Sequence, residues 1–303
     1  MVTKNPGKHK PIFFLFLLPA ALSFVIVIVI PFIFGVYYSF TDWNVMTGGA
    51  AVNFVGFDNY AAVFRDPRFL HSFLVTVAFA AINIILVNVV AFSLALLVTN
   101  KLKLVGLYRA AFFLPHLIGG IILGYIWQFI FNSAITQVGS NLGIDFLSTS
   151  LLAHRQWALV AIVVVVVWQN AGFFMMIYVA AIQSAPAELI EASQIDGATY
   201  LQRVRHILMP LVAPAFTVAM FLTLVRSFQQ FDVNMALTAG GPAGMFMDQA
   251  IPTTELLALN IYNTAFTIRQ LAQGQARAVV FFITLAIVAL MQVYLNKRKE
   301  LEM

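Results

Sequence analysis

Two short polar stretches stand inside otherwise apolar sequence, and their side chains set the chemistry open to this chain. The first is Trp168-Gln169-Asn170, near the middle of a run free of Asp, Glu, Lys and Arg that extends from Gln156 to Ala187. The second is Thr223, Arg226, Ser227 and Gln230, spaced i, i+3, i+4 and i+7, so a helix carries all four on one face. Amides, hydroxyls and a guanidinium exchange hydrogen bonds, and an indole ring stacks. This suits reversible recognition rather than bond making. An aromatic ring can lie on a sugar ring while amides and hydroxyls bond its hydroxyl groups. Arg226 also admits an anionic solute such as a phosphorylated polyol. Each residue alone could instead bond across helices and hold a bundle together, at about 0.6–2 kcal/mol per bond. As a set they favour a solute pathway. Asn83, Asn88 and Gln128 also lie in apolar runs and read as packing groups.

Other chemistries lack their residues. There is no cysteine, hence no disulfide framework, thiol nucleophile or thiolate metal site. No G-x-x-x-x-G-K-[ST] occurs; Gly7-Lys8 is followed by His9 in a basic tail. No His, Asp and Glu set has metal-ligand spacing. His116 falls in an apolar run, where packing is the expected role ahead of ligation or proton relay. No catalytic residue, metal or cofactor is expected in this chain.

The elements that must position these groups are membrane helices. The chain has 303 residues, 61% hydrophobic and 10% charged, where soluble domains carry about 25% charged residues. Runs free of charge extend over Pro11–Thr41, Phe69–Asn100, Ala110–Ile144, Gln156–Ala187, Ile207–Val225 and Ala278–Asn296. Each supplies about the 20 residues a helix needs to cross a bilayer. The first could be a signal peptide, given Lys4, Lys8 and Lys10, but it is too long and continues into Tyr37, Tyr38 and Trp43, an aromatic anchor.

With the amino terminus inside, Lys4, Lys8, Lys10, Lys101, Lys103, Arg109, Arg203, Arg205, Lys297, Arg298 and Lys299 face the cytoplasm. They outnumber Arg65, Arg68, Arg155, Arg226, Arg269 and Arg277 outside. Most acidic residues, including Asp42, Asp145, Asp232 and Glu255, lie outside. The net charge of +5 is therefore a topology signal, and a nucleic-acid role loses its support. The expected fold is all-α: a polytopic membrane protein with six transmembrane helices and both termini cytoplasmic, forming a single domain over residues 1–303.

Two connections carry further signals. The outer segment from Asp232 to Arg277 holds the turn Thr238-Ala239-Gly240-Gly241-Pro242 and could meet an external partner or cap the bundle. The cytoplasmic segment at about 186–207 reads as two short helices joined at a bend. Pro186 suits a first helical turn and Ser184 is a possible cap. Glu188 and Glu191 suit the helix dipole, and Asp196-Gly197 reads as a break. A second helix is expected from about Thr199. Ala192 and Ala198 would let another surface approach closely. Taken alone, this could be an ordinary cytoplasmic loop.

Taken together, Glu191-Ala192-Ser193, Asp196-Gly197-Ala198 and Ile207-Leu208-Met209-Pro210 closely resemble the EAA loop of ABC-importer permeases. That pattern is E-A-A, two residues, D-G-A, eight residues, I-x-L-P. Ser193 replaces an alanine and Met209 a leucine; the spacing is intact. Tyr37–Trp43, Phe54–Tyr60, Leu114-Pro115, Trp127, Trp168–Gln183, Phe231-Asp232 and Tyr262–Phe266 extend the resemblance to carbohydrate-type permeases of the maltose and glycerol-phosphate group, and to the first of their two permeases. The stretch Ala243–Leu259 is longer than usual, and Arg277 replaces a small or polar residue.

The resemblance implies a permease subunit, not itself an enzyme, in the inner (cytoplasmic) membrane. It implies partnership with ATPase subunits that bind ATP and Mg, a second homologous permease, and an extracytoplasmic solute-binding protein. Glu191, Ala192, Asp196, Gly197 and Ala198 would form the element that docks on the ATPase, with Glu191 at its surface and Gly197 making the bend. The solute would be a sugar or related polyol. Two alternatives remain open from the residues. An ion- or proton-coupled secondary transporter would use intramembrane carboxylates, and the marked runs hold none, Asp232 being nearest. A scaffolding membrane protein would show no solute-dependent activity.

Overall fold

The computed structural model describes residues 10–44, 52–100 and 103–301. Lys4, Lys8, Lys101 and the Gly7-Lys8-His9 tail lie outside them. Among the described residues, Phe13–Tyr38, Pro67–Thr99, Gly120–Leu142, Arg155–Gln183 and Leu271–Tyr294 are helices long and apolar enough to cross a bilayer. Tyr200–Leu211 and Ala213–Phe228, bent by 72°, make a sixth if counted as one crossing. In chain order these are spans one to six. Among the described residues the chain is an all-helical polytopic membrane protein, apart from one small hairpin.

Two compact units are distinguishable, one of residues up to Arg65 with Ile261–Phe281, the other of the remainder. In the first, span one buries none of its apolar window within the chain and passes through a π-helical turn at Val25–Val29. Beyond it, Thr41 bridges Phe54, and Asp42 accepts from the backbone N–H and side-chain amide of Asn53 at 2.7 and 2.9 Å. Asn59 Nδ2 donates to the carbonyls of Ser39 and Thr41. The aromatic and turn residues between Phe54 and Tyr60 thus close onto the end of span one. Arg277 is buried.

In the second unit, span two packs along span four and span five. One apolar cluster gathers Val87, Phe92, Phe174 and Tyr178; another gathers Phe79, Leu123, Ile162 and Leu256. The run Ala110–Ile144 is not one helix. Val105–Leu117 stops at Ile118 and Gly119, which are extended, and span three begins at Gly120. Gly120, which opens span three, lies close against Asp232: a β-carbon on Gly120 would lie 2.6 Å from Asp232 Cβ. Gln169 Nε2 donates to the exposed Ile118 carbonyl at 3.2 Å, replacing a helical bond.

The run Ile207–Val225 also differs from a simple span. Its helix starts at Tyr200 and breaks at Val212 (φ −93°, ψ 5°). Pro214 has no N–H to bond the Pro210 carbonyl, so the ladder opens there.

After span five, helix Asp232–Thr238 leads to β1 (Ala243–Phe246) and β2 (Gln249–Pro252), an antiparallel pair in which Ala243 faces Pro252 and Phe246 faces Gln249. Thr253 and Thr254 bond back to the carbonyls of Pro242, Gly240 and Gly241. Glu255, fully buried, receives Arg68 Nε at 2.7 Å and Arg68 Nη2 on its other oxygen, while Asn260 Nδ2 donates at 2.9 Å. The longer stretch noted in the sequence is thus a hairpin rooted by threonines and a buried ion pair.

Candidate functional site

The second unit holds a cavity of about 300 Å³ whose wall combines polar and apolar side chains. Gln169, Asn170, Arg226 and Gln230, all named from sequence, line it, and Thr223 joins them at its edge. Span four supplies Gln169 and Asn170, span five supplies Thr223 and Arg226, and Gln230 follows just past the end of span five. Arg226 is steadied on two sides. Its Nη1 donates to Asn170 Oδ1 at 3.2 Å, and its guanidinium lies over the Phe173 ring, 4.4 Å from the centroid. A half-buried cation–π contact of this kind is worth about 0.5–2 kcal/mol. Asn170 in turn donates to the Val166 carbonyl.

The four polar residues expected on one helix face divide, and Gln230 lies past the helix, which ends at Phe228. Thr223 and Ser227 are buried and turn toward span two. Each donates its hydroxyl hydrogen back along its own helix, Thr223 to Ala219 and Ser227 to Thr223. Each also accepts from an asparagine of span two, Asn88 at 3.4 Å and Asn83 at 2.7 Å. Asn88 further accepts from Tyr178 Oη at 2.6 Å. Arg226 and Gln230 face the cavity. Ser227 and Trp168 are not part of its wall; Trp168 is exposed, with its edge to Trp127 at 5.5 Å. Gln128 donates to the Leu237 carbonyl, a packing bond.

Sequence reasoning reads Asn83 and His116 as packing groups, keeps Asp232 as the nearest carboxylate for ion coupling, and does not single out Phe174. Asn83, His116, Phe174 and Asp232 all line the cavity, and His116 stacks on Phe173 at 4.7 Å. The Gly119-Gly120 pair was the available signal for His116 and Asp232. It breaks the helix beside His116 and admits Asp232 against Gly120.

The bend at the end of span four is built from local rules. Helix Ala187–Ile195 begins at Pro186, while Ser184 closes span four instead, donating its hydroxyl to the Ala181 carbonyl. The helix ends in a Schellman motif: Ala198 N–H bonds Ser193 O, Gly197 N–H bonds Gln194 O, and Gly197 has φ +79°. One residue later Thr199 and Gln202 form a reciprocal capping box that starts the next helix. Glu191, Ala192, Asp196 and Gly197 are exposed and Ala198 half-buried, whereas Ser193 is buried against the body of the unit. Ser193 therefore faces away from the exposed surface, so its hydroxyl does not alter that surface. Ile195 is 87% and Leu201 74% exposed beside the bend, an apolar pair presented to whatever covers it. Among the described residues no group of His, Asp and Glu could hold a metal ion.

Comparison with known proteins gives a consistent picture. A family model described as "Binding-protein-dependent transport system inner membrane component" matches residues 101–300. A probable starch degradation products transport system permease protein of Thermoanaerobacterium thermosulfurigenes is 44% identical over 291 residues, 96% of each chain. A multiple sugar-binding transport system permease protein of Streptococcus mutans is 31% identical over 94% of this chain and 95% of its own. Among solved structures, a bacterial ABC transporter involved in the import of the acidic polysaccharide alginate superposes with a TM-score of 0.81, 20% identity and 96% coverage of each chain. At that identity the likeness shows the fold.

Proposed function

The chain belongs to the family of binding-protein-dependent transport system inner membrane components, and we propose that it is the permease subunit of an ATP-driven importer of a sugar or related polyol. The observation that carries this is one continuous stretch, residues 187–230, joining an exposed two-helix bend to a polar cavity. The names of the relatives, covering starch degradation products and multiple sugars, support the solute class.

In this proposal Glu191, Ala192, Asp196, Gly197 and Ala198 dock on an ATPase subunit, with Ile195 and Leu201 filling an apolar recess there. ATP and Mg are held by the ATPase chains. A second homologous permease completes the pathway, and an extracytoplasmic binding protein delivers the solute. Gln169, Asn170, Arg226 and Gln230 contact it; Thr223 and Ser227 hold span five to span two, and Trp168 belongs to the lipid or partner side. Nucleotide drives the change only if the two states of the transporter bind it unequally.

The test is a mild-detergent purification from the native membrane followed by solute-stimulated ATPase assay. A P-loop ATPase and a second permease should co-purify. Deleting the bend 191–198 should abolish stimulation while the chain still inserts. ATP-driven uptake surviving that deletion would refute the coupling role. Transport that ignores ATP and collapses with the proton gradient would point to a secondary transporter.

A further inference from the structure

Asn83 is 2% exposed and lines the polar cavity. Its side-chain orientation is fixed by its neighbours. Ser227 has one hydroxyl hydrogen, given to the Thr223 carbonyl at 2.7 Å. A hydroxyl so engaged can only accept, so the 2.7 Å contact from Asn83 must bring its nitrogen. The amide oxygen is thereby turned the other way, and Asn83 Oδ1 is buried with no hydrogen-bond partner. His116, in the same wall, likewise keeps a buried Nδ1 without a partner, its ring held by the Phe173 stack. Native proteins leave few such atoms unmet, because each forfeits its hydration for nothing. Two in one cavity wall mark contacts completed by a ligand.

Arg226, the cavity's cation, gives one N–H to Asn170 and its face to Phe173, and the carboxylate of Asp232 in the same wall is set against its charge. An anionic group brought here meets Asn83 Oδ1 and Asp232, both acceptors. A sugar hydroxyl brings the hydrogen that Asn83 Oδ1 lacks.

We propose that Asn83 is a solute-contacting, specificity-determining residue whose Oδ1 accepts a hydroxyl hydrogen, with His116 Nδ1 beside it as a second contact. This pair selects neutral polyhydroxylated solutes over anionic ones. The inference rests on the sugar-importer reading above and deepens it. It assigns selection to span two and the broken helix before span three, neither of which carries the exposed bend.

The test uses the transporter purified with its partner chains and reconstituted in liposomes. The probes are maltotriose, its monodeoxy and monofluoro analogues, and glycerol 3-phosphate. A C–F group accepts weakly and never donates. Where Asn83 Oδ1 reads a hydroxyl, the deoxy and fluoro analogues at that position should be equally poor, with KM raised about tenfold or more. Asn83→Leu should raise the KM for maltotriose by a similar factor, leave kcat largely unchanged, and erase the difference between parent and fluoro analogue. Should Asn83→Leu fail to assemble, Asn83→Ala is read by the same ratio, which a purely packing role would not move. The wild-type comparison needs no variant. Fluoro analogues carried as well as the parent at every position, an unchanged ratio in the Asn83 variants, or preference for glycerol 3-phosphate would each overturn the proposal. Uptake of none of the probes, with ATPase activity intact, would overturn the sugar reading on which it rests.

Discussion

Gly172 is the point where span four meets the backbone of helix Val105–Leu117, and Gly172→Ala should be felt across the cavity. A β-carbon there would lie 1.8 Å from Phe112 O and 2.4 Å from Phe112 C. Both are main-chain atoms, so no rotamer change relieves the clash. Real β-carbons essentially never come closer than 3.0 Å, so the helix must withdraw by about an ångström or more. Overpacking by one methyl costs about 1–3 kcal/mol, and a contact with nothing soft in it belongs at the upper end. The withdrawal also pulls His116 off Phe173 and Ile118 away from Gln169, both in or against the cavity wall. Gly106, in the same helix, meets no atom within 4 Å. Gly106→Ala should be neutral, or stabilising by up to about 1 kcal/mol through helix propensity. Thermal unfolding in mild detergent, followed by circular dichroism, measures both; solute uptake should fall only for Gly172→Ala. Coincident melting of the two variants would refute the packing argument.

Three further outcomes are expected. Arg68→Met leaves the buried Glu255 carboxylate without its guanidinium and should cost about 3–5 kcal/mol, while Arg68→Met with Glu255→Met should cost much less; a double variant melting no higher than the single would contradict this. Asp42 is held below the ordinary carboxylate value of 3.8 by the side-chain and then the backbone bond from Asn53. A depressed folded pKa stabilises fully above the unfolded value and is lost as pH falls through the folded one. The Asp42–Asn53 contact should therefore loosen below about pH 4, seen as faster amide exchange at Asn53 relative to its intrinsic rate, and Asp42→Asn should lack that transition. Thr199→Ala removes the capping box and should cost about 1 kcal/mol locally, read as exchange at Tyr200–Arg203, with Thr199→Ser close to native.

Much of this architecture is legible in the residues because a bilayer imposes a length and a polarity on every crossing. The bend at 191–198 is legible for a different reason: glycine in the left-handed region and threonine at a helix start are local rules that need no tertiary context. Three features escape. The approach of Asp232 to Gly120 is a contact distant in sequence that no local rule announces. The hairpin turns on Met247 and Asp248, both with positive φ (46° and 60°), where a reader looks for Asn-Gly. The face Thr223, Arg226, Ser227, Gln230 is one stripe by periodicity, yet it straddles two neighbours. Two of its members, Thr223 and Ser227, bond Asn88 and Asn83 of span two, and only packing reveals that.

The break at Val212 sets a lever. At 1.5 Å per residue, Tyr200–Leu211 and Ala213–Phe228 are arms of about 18 and 24 Å, set 72° apart. Turned as a rigid piece about Val212, the elbow moves its far end about a third further than its near end, along a line rotated by that angle. For a rigid turn about Val212 the displacements at Tyr200 and Phe228 stand in the ratio of the arms, about 3 to 4, and Phe228 is next to Arg226. The gearing is fixed by where Pro214 stands in the chain. Moving that proline one turn along the helix would change the stroke delivered to the cavity without touching a single residue that lines it.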